Sequence, residues 1–191
     1  MGRIVISQNV TLDGVVEDPT GGEGFKHGGW FTEHVGPDRE RWAEVEFAEV
    51  RGASALLMGR RTDHYFGSRW SSAPGPWADR LRELPKYVLS STIEQTVWTN
   101  GTVLTGDVVE EVEKLKANIE GEIVVYASRP LVHALMENGL VDEIRLIVFP
   151  VVLGSGERAF GDTTDKTSLR LLKVECIGET LNHVRYEVVR N

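Results

Sequence analysis

Hydrophobic and polar positions along this chain follow two different periods, and the alternation between them predicts its elements. Short, nearly continuous apolar runs predict strands at Arg3–Val10, Ala55–Met58, Lys86–Thr92, Glu122–Ala127 and Glu143–Phe149, with two shorter strand-like pieces in Gln95–Leu104. Apolar residues with a helical period predict helices at Asp38–Arg51, from Thr62 onward, around Trp77–Glu83, at Asp107–Ile119 and from Ser128 to Gly139.

Strands that alternate with helices in this way predict an α/β fold, with a mostly parallel sheet covered on both faces. The C-terminal part differs, because Leu169–Ile177 and His183–Val189 are two strand patterns joined by a turn. We therefore expect an antiparallel hairpin there, whose second strand alternates apolar and polar residues and has one solvated face. No repeat, linker or low-complexity tract interrupts residues 1–191, so the chain is predicted to form a single domain.

Composition narrows the class of partner. The net charge of −8 argues against nucleic acids and anionic membranes, which require a basic face. No apolar run approaches the roughly 20 residues that cross a bilayer, and the N-terminus enters a strand directly, so we expect a cytoplasmic protein. The single cysteine, Cys176, excludes an internal disulfide and a cysteine-based zinc cluster, and no metal site is predicted. Its apolar surroundings predict a buried side chain.

The first candidate site lies where the apolar run Ala55–Met58 ends. Gly59, Arg60, Arg61 and Thr62 follow it and open a helix. A strand that ends in glycine before a helix leaves backbone N–H groups directed at one point, where the helix dipole also favours an anion. The arginines add donors suited to phosphate. The alternative is a solvated basic turn in which Gly59 only permits a bend.

Two further strand-to-helix junctions carry similar residues. Hydroxyl groups of Ser90, Ser91 and Thr92 end one strand, and Ser128 and Arg129 follow another. Such residues at strand ends bind phosphate or ribose, or merely cap the next turn. Neither a P-loop nor a G-x-G-x-x-G fingerprint is present. The residues alone therefore predict an α/β nucleotide-binding domain and nothing more specific.

Two regions hold candidate substrate residues. The glycine-rich loop Pro19–Trp30 is long enough to be a lid, and its apolar residues Phe25, Trp30 and Phe31 either fold onto a ligand or close the core beneath the loop.

The second region is the helix Asp38–Arg51, in which Glu46 falls on the apolar arc of Trp42, Ala43, Phe47 and Val50. A carboxylate on such an arc is costly unless it is paired, protonated or used. Glu46 is therefore a candidate proton donor or heterocycle anchor, or else a carboxylate that reaches water or an arginine.

Four segments, taken in order, resemble the dihydrofolate reductase superfamily: Ser7–Gly14, Ala55–Thr62, Pro85–Thr92 and Leu140–Phe160. The last is similar to the branch that contains the C-terminal reductase domain of bifunctional riboflavin-biosynthesis proteins. The resemblance implies a three-layer α/β/α dihydrofolate-reductase-like fold. It also implies NADPH-dependent hydride transfer to a pteridine- or pyrimidine-like small molecule, as in dihydrofolate reductase or 5-amino-6-(5-phosphoribosylamino)uracil reductase.

The resemblance assigns roles to particular residues. It places the adenosine phosphates at Gly59, Arg60, Arg61 and Thr62, with the arginines favouring a 2′-phosphate and hence NADP over NAD. Ser90, Ser91 and Thr92 would lie along the adenosine, and Ser128 and Arg129 at the pyrophosphate. Asp13, Gly14 and Val16 would lie beside the nicotinamide, under the Gly21–Gly29 loop, and the turn Gly154–Gly156 would border the ligand cleft. Glu46 would be the substrate-facing acid, and Asp13 is the second catalytic candidate.

Two departures from the family pattern leave an alternative open. Members usually have glycine-rich sequence where this chain has Tyr126–Pro130, which bears on how closely the backbone approaches a pyrophosphate. A deaminase domain is also missing from the sequence. The alternative is a non-catalytic nucleotide- or ligand-binding protein on the same fold, and the apolar hairpin could mediate a homodimer.

Overall fold

The computed structural model describes residues 1–161 and 166–190, and within them the chain forms eight strands and six α-helices. The strands are β1 (Arg3–Thr11), β2 (Ala53–Gly59), β3 (Lys86–Leu89), β4 (Gly101–Leu104), β5 (Glu122–Tyr126), β6 (Glu143–Phe149), β7 (Ser168–Ile177) and β8 (Leu181–Val189). The helices are α1 (Trp30–Val35), α2 (Arg39–Gly52), α3 (Arg60–Trp70), α4 (Pro76–Glu83), α5 (Val108–Asn118) and α6 (Arg129–Glu137), with a short 3-10 helix at Gly36–Asp38.

The strands form one sheet in the order β4-β3-β2-β5-β1-β6-β8-β7. Strand β2 pairs in parallel with β3 and β5, and β3 pairs in parallel with β4. At the other end β8 pairs antiparallel with both β6 and β7. The predicted class, a mixed α/β fold with a mostly parallel sheet and an antiparallel C-terminal hairpin, is confirmed.

The chain divides into two compact units. Unit 1 comprises Met1–Ile6 and Phe47–Asp142, and unit 2 comprises Ser7–Glu46 and Glu143–Asn191. The assignment of residues 1–191 to a single domain stays a prediction. We describe each unit separately.

Unit 1 contains the parallel part of the sheet. Apolar side chains of β2, β3 and β5 pack with those of α4, and this core includes the fully buried Leu56, Leu81 and Val88. The aromatic rings of Phe66, Trp77 and Tyr126 pack at its margin, with centroids about 6 Å apart. Helix α5 begins as predicted, because the Asp107 carboxylate accepts hydrogen bonds from the N–H groups of Val109 and Glu110.

Unit 2 contains the antiparallel hairpin and its own core. Side chains of α1 pack against β6, β7 and β8, and this cluster comprises Trp30, Phe31, Val35, Ile147, Phe149, Ile177 and Leu181. Trp30 is 1% exposed and Phe31 is 9% exposed. Of the two alternatives for these aromatic residues, the structure therefore supports closure of the core. Phe25 differs, since it is only half-buried.

Several sequence predictions were wrong in detail. Gln95–Leu104 contains one strand, β4, because residues 95–100 form bends and turns. Helix α3 begins at Arg60, two residues before the predicted start at Thr62, and ends at Trp70. Ala43 is exposed rather than on a buried arc. Cys176 is also exposed, since its side of β7 is not covered. Strand β8 lacks a cleanly solvated face, because its polar residue His183 is buried.

Candidate functional site

The three candidate phosphate-binding junctions of unit 1 lie at one edge of its sheet. Strands β3, β2 and β5 are adjacent and parallel, and Gly59 at the end of β2 is in register with Leu89 at the end of β3. Ser90 follows directly on β3, and Ser128 lies two residues beyond β5. The carboxyl ends of parallel strands are where open α/β sheets bind nucleotides.

Ser128 joins two of these junctions. Its hydroxyl oxygen Oγ accepts a hydrogen bond from the backbone N–H of Gly59 at 3.0 Å and donates to Thr62 Oγ1 at 2.8 Å. Ser128 and Thr62 are both buried. The start of α3 and the start of α6 are therefore held together by a small hydroxyl network, although 66 residues separate Ser128 from Thr62.

The turn between β5 and α6 has the backbone of a glycine-rich turn without the glycines. Ala127 has φ 47° and Ser128 has φ 54°, in the left-handed region that glycine favours. A left-handed backbone costs an L-residue roughly 1–2 kcal/mol. Tyr126–Pro130 departs from the family's glycine-rich sequence but keeps the left-handed backbone that glycine favours. The Ala127 methyl group and the Ser128 hydroxyl group are added to that turn.

Glycine at position 59 has no local structural requirement. Its backbone is extended, with φ −87° and ψ 165°, which any residue adopts. A Cβ built there meets only Ser128 Oγ, at 4.0 Å. The backbone at this strand end is neither bent nor crowded, so the fold does not explain the glycine. Close approach of a ligand to the backbone would explain it.

Arg60 and Arg61 occupy an electrostatically unfavourable position. Both are exposed in the first turn of α3, where the helix dipole disfavours a positive charge by roughly 0.3–1 kcal/mol per side chain. The N-cap residue of this helix is Gly59, which makes no side-chain capping hydrogen bond. A bound anion would interact favourably with the helix dipole. It would also accept charge-assisted hydrogen bonds from both guanidinium groups. The charge, the uncapped helix and the uncrowded glycine together fit a dinucleotide phosphate.

The hydroxyl groups after β3 have a local use. Ser90 Oγ accepts from the backbone N–H of Thr92 and lies 3.2 Å from Thr92 Oγ1. This is a side-chain-stabilised turn, the commoner of the two uses expected for these residues. Ser91 and Thr92 are exposed at the same sheet edge. Their contact with a cofactor stays a prediction.

One strongly perturbed lysine of unit 1 belongs to the scaffold. Lys86 is fully buried, and its Nζ donates to the carbonyl of Leu84 at 2.7 Å and to Asn100 Oδ1 at 3.2 Å while lying 4.3 Å from the centroid of Trp98. Burial lowers the pKa of Lys86 to about 8, against the opposing effect of Asp63. Lys86 is the first residue of β3, so it lies at the strand end opposite the candidate site.

In unit 2 the carboxylate of Asp13 holds two turns together. It accepts hydrogen bonds from Thr11 Oγ1 at 2.7 Å and from the backbone N–H groups of Leu153 at 3.2 Å and Gly154 at 2.9 Å. Burial alone would raise the pKa of Asp13, but these hydrogen bonds outweigh it and hold the pKa below its ordinary value. The group is therefore ionised at neutral pH and suited to accept hydrogen bonds rather than donate a proton. Its catalytic assignment stays a prediction.

Gly14 and Val16 are part of the same arrangement. Gly14 has φ 81°, its carbonyl accepts from the N–H of Ala159, and the N–H of Val16 donates to the carbonyl of Glu157. The predicted turn Gly154–Gly156 is thus bound directly to the Asp13 turn. Gly156 is required there, because it has φ 118° and an added Cβ would lie 2.7 Å from Val15 Cγ1.

The glycine-rich loop is organised around Asp18. The carboxylate of this buried residue accepts from the N–H groups of Gly22 at 2.7 Å, Glu23 at 3.1 Å and Phe25 at 3.3 Å. Its backbone carbonyl accepts from Gly21 and Gly29. The hydrogen bonds lower the pKa of Asp18 although burial acts to raise it. The segment is therefore folded around one carboxylate.

Glu46 is buried and is 8% exposed. Trp42 lies one turn earlier on α2, and its Nε1 donates to Asn9 Oδ1 on β1 at 2.9 Å. Residues four apart share one face of a helix, so Glu46 faces the same way as Trp42. Burial favours the alternatives in which this carboxylate is paired or used over the one in which it reaches water, and its catalytic role stays a prediction.

Sequence reasoning missed three polar residues of unit 2. Arg158 donates to the backbone carbonyl of Asp13, and Glu17 Oε2 accepts from the N–H of Glu157 at 2.8 Å. These contacts join residues 140 or more positions apart, and no local pattern indicates them. Asp18 could have been found, because aspartate before Pro-Thr-Gly-Gly is a turn signal in which the side chain binds nearby backbone N–H groups.

Comparison with solved structures identifies the fold. A putative riboflavin-biosynthesis protein from Shewanella sp. PV-4 superposes with a TM-score of 0.76, at 21% identity, over 98% of this chain and 99% of that one. A pyrimidine reductase-like protein from Corynebacterium diphtheriae gives a TM-score of 0.66 at 14% identity, over 99% and 92%. Dihydrofolate reductase from Enterococcus faecalis, complexed with NADP(H), gives 0.59 at 14% identity, over 97% and 96%. The fold is dihydrofolate-reductase-like.

The chain belongs to the RibD C-terminal domain family, whose model matches residues 3–182. The uncharacterized protein YyaP of Bacillus subtilis (strain 168) is 26% identical over 190 residues, which is 96% of this chain and 94% of YyaP.

Across residues 1–161 and 166–190 there is no helix long and apolar enough to span a bilayer. The same residues contain no group of His, Cys, Asp and Glu side chains that could hold a metal ion.

Proposed function

We propose that this protein is an NADPH-dependent cytoplasmic reductase that transfers hydride to a pteridine- or pyrimidine-like heterocycle. The observation that carries the proposal is the pairing of Gly59, which no local feature requires, with Arg60 and Arg61 at an uncapped helix start. Membership of the RibD C-terminal domain family supports the reaction class. The pyrimidine reductase-like neighbour and the NADP(H)-bound dihydrofolate reductase support the substrate class and the cofactor.

The residues of unit 1 would hold the cofactor. The backbone at Gly59 would approach a phosphate group, and the guanidinium groups of Arg60 and Arg61 would bind a 2′-phosphate and so favour NADPH over NADH. Ser128 would hold the two helix starts in position through its bonds to Gly59 and Thr62. NADPH would supply the hydride, and the protein would orient it and exclude water.

Proton transfer requires a separate group, and Glu46 is the candidate. Its side chain is buried on the face of α2 that also carries Trp42, and a carboxyl group is one of the side chains that serve as general acids. Asp13 is unsuited to this role because its carboxylate is bound by backbone N–H groups. In this proposal Asp13 fixes the turn that presents Gly14 and Val16.

Cofactor binding tests the proposal first. The five tryptophans provide a fluorescence signal, and we expect NADPH to quench it at much lower concentration than NADH. The double substitution Arg60→Ala/Arg61→Ala should weaken NADPH binding roughly a hundredfold, since two charge-assisted contacts are lost, and should change NADH binding little. Arg69→Ala, at the far end of α3, is the matched control and should bind NADPH as the wild type does.

Turnover tests the reaction. We expect consumption of NADPH, followed by its absorbance, with dihydrofolate or a ribosylaminopyrimidine as the acceptor. Glu46→Gln should lower turnover while leaving NADPH affinity unchanged. Unchanged turnover would remove Glu46 from the mechanism, and equal or absent binding of both cofactors would remove the cofactor assignment. Tight NADPH binding without turnover on any pteridine or pyrimidine would favour the non-catalytic alternative.

A further inference from the structure

Unit 1 contains two buried ionisable side chains whose charges act on each other. Asp63 is 2% exposed and lies in the first turn of α3, shortly after Arg60. Lys86 is fully buried, and its backbone begins β3 at the strand end opposite the candidate site. Despite that separation along the strand, the ammonium group of Lys86 and the carboxylate of Asp63 each shift the pKa of the other. We call Asp63 and Lys86 the buried pair.

The surroundings of Lys86 fit an ammonium ion. Its Nζ donates to the carbonyl oxygens of Leu84 at 2.7 Å and Arg82 at 3.4 Å and to Asn100 Oδ1 at 3.2 Å. These acceptors match the three N–H groups of a protonated lysine, and the Trp98 ring, whose centroid is 4.3 Å away, also favours a cation. Burial nevertheless lowers the pKa of Lys86 to about 8, so its charge is lost under mildly alkaline conditions.

The surroundings of Asp63 are poor in hydrogen bonds. Its Oδ2 accepts a long bond of 3.4 Å from the backbone N–H of Val97, and within the described part of the chain its Oδ1 is buried without a partner. Burial raises the pKa of Asp63 against the opposing effects of Val97, His64 and Lys86. His64 is exposed on the same helix, so Lys86 is the charged group that balances Asp63 from inside the protein.

We propose that the buried pair sets the affinity of the start of α3 for an anion, and that this affinity falls when the pair loses a proton. The inference rests on the proposed function, in which the anion is a phosphate group of NADPH. While the pair shares one dissociable proton it has no net charge, whether that proton is on Lys86 or on Asp63. Loss of the proton leaves a negative charge within a helical turn of Arg60, where it is screened less than in water and repels a phosphate group.

The residues already assigned to the cofactor would not produce this dependence. The guanidinium groups of Arg60 and Arg61 keep their charge in mildly alkaline solution. The phosphate groups of NADPH are already ionised above neutral pH. If these groups alone determined the affinity, it would be constant over the range in which Lys86 loses its proton.

Calorimetric titration with NADPH between about pH 7 and pH 9.5, at constant ionic strength, tests the proposal. The wild type should lose affinity roughly tenfold, the effect of a unit charge about 10 Å away in a protein environment, whereas Asp63→Asn/Lys86→Met should lose less than about twofold. The matched control is Lys116→Met/Asp142→Asn, which removes another ion pair of unit 1, with Nζ and Oδ2 2.6 Å apart. This control should show the same alkaline loss as the wild type.

Stability separates this charge effect from a loosening of α3. Folding lowers the pKa of Lys86 from 10.5 to about 8, so between these values the unfolded chain binds more protons than the folded one. As the pH rises through this range, the wild type should therefore gain stability relative to Asp63→Asn/Lys86→Met in urea unfolding, while its NADPH affinity falls. If affinity and relative stability fall together, the pair only keeps the helix in place and the proposal is wrong.

Adenosine 2′,5′-bisphosphate, which carries phosphate groups but no hydride, separates this inference from the reductase assignment. If NADPH does not bind but the bisphosphate shows the same alkaline loss, the cofactor assignment fails and the inference stands. NADPH affinity that does not change with pH, or no binding of either ligand, would overturn the inference.

Circular dichroism checks that the variants are folded. If Asp63→Asn/Lys86→Met is not, the single substitution Asp63→Asn takes its place. At about pH 9.5 this variant lacks the unbalanced negative charge and should bind NADPH roughly tenfold more tightly than the wild type. Equal affinities there would contradict the proposal.

Discussion

The strand-end site of unit 1 and the turns of unit 2 both combine glycine with charged residues. In unit 2 the fold itself requires these residues, whereas in unit 1 it does not. In unit 2 the carboxylates of Asp13 and Asp18 are bound by backbone N–H groups, and Gly156 is required by its φ of 118°. In unit 1 Gly59 has an ordinary backbone, and Arg60 stands at an unfavourable end of its helix. The first set is explained by the fold and the second is not.

This difference ranks the candidate residues. A residue whose polar atoms are committed to the fold has little capacity left for a ligand, whereas one that costs stability is accounted for by function. Gly59, Arg60 and Arg61 are therefore the strongest ligand-binding candidates in the chain, and Asp13 is a weaker one than its place in the family resemblance implies. Substitutions that separate stability from binding can test this ranking.

The largest contrast is expected between two glycine substitutions. Gly156→Ala should lower the free energy of unfolding by about 3 kcal/mol or more, because the residue has a positive φ and the new Cβ would lie 2.7 Å from Val15 Cγ1. Gly59→Ala should change it by less than about 0.5 kcal/mol, since its Cβ meets only an atom at 4.0 Å. Urea denaturation measures both values.

For NADPH binding we expect the opposite order, with the larger effect from the substitution at Gly59. We expect Gly59→Ala to weaken it roughly tenfold or more, because the methyl group would occupy the place where a phosphate approaches the backbone. Fluorescence titration of the folded variant measures this. A Gly59→Ala protein with wild-type stability and wild-type affinity would mean that Gly59 is only a permissive turn residue, and the contrast between the units would lose its main support.

A smaller effect is expected from Asp18→Asn in unit 2. The amide keeps one acceptor oxygen but loses the charge that strengthens the bonds from Gly22, Glu23 and Phe25, at a cost of about 1–2 kcal/mol at neutral pH. Because the folded-state pKa of Asp18 is lowered, its stabilisation is present above the unfolded pKa of about 4 and is lost as the pH falls through the folded value.

Unfolding of both proteins over a pH series measures this dependence. The advantage of the wild type over Asp18→Asn should shrink below pH 4 or so, since protonation removes the charge. Glu113→Gln, which alters an exposed carboxylate on α5, should show a small difference throughout. An Asp18→Asn difference that is independent of pH would mean that the charge does not stabilise the loop.

Hydrophobic patterns predicted most of the fold, because helices such as α5 bury one face and the central strands β1, β2 and β5 are buried along nearly their whole length. Strands β1, β2, β5 and β6 and helix α5 follow from apolar patterns that nothing else in the sequence contradicts. Helix α1 was missed because its six residues follow a glycine-rich run and depend on packing of Trp30 and Phe31 against the hairpin. Exposure of Cys176 was missed for a related reason, since periodicity gives the faces of a strand but not which of them is covered.

The candidate site was predictable only in part. Strand ends with glycine, arginine and hydroxyl residues can be recognised in the sequence. The parallel pairing of β3, β2 and β5 then places these residues at one edge of the sheet. The bond from Gly59 to Ser128 spans 69 residues, and the left-handed backbone of Ala127 follows from that junction rather than from its residue type. Such features arise from tertiary structure and have no local signature.

The smallest effect should come from Ala127→Gly, which addresses the strained turn of unit 1. Glycine relieves the left-handed strain of φ 47°, worth roughly 1–2 kcal/mol, but loses about 0.5–1 kcal/mol of backbone entropy. The free energy of unfolding should therefore rise by up to about 1.5 kcal/mol, whereas Ala48→Gly on α2 should lower it by about 1 kcal/mol. If Ala127→Gly is as destabilising as the helical control, the turn is not strained. If it stabilises the protein and also tightens NADPH binding, the methyl group at this junction limits how closely the cofactor approaches, and the departure from a glycine-rich turn sets its affinity.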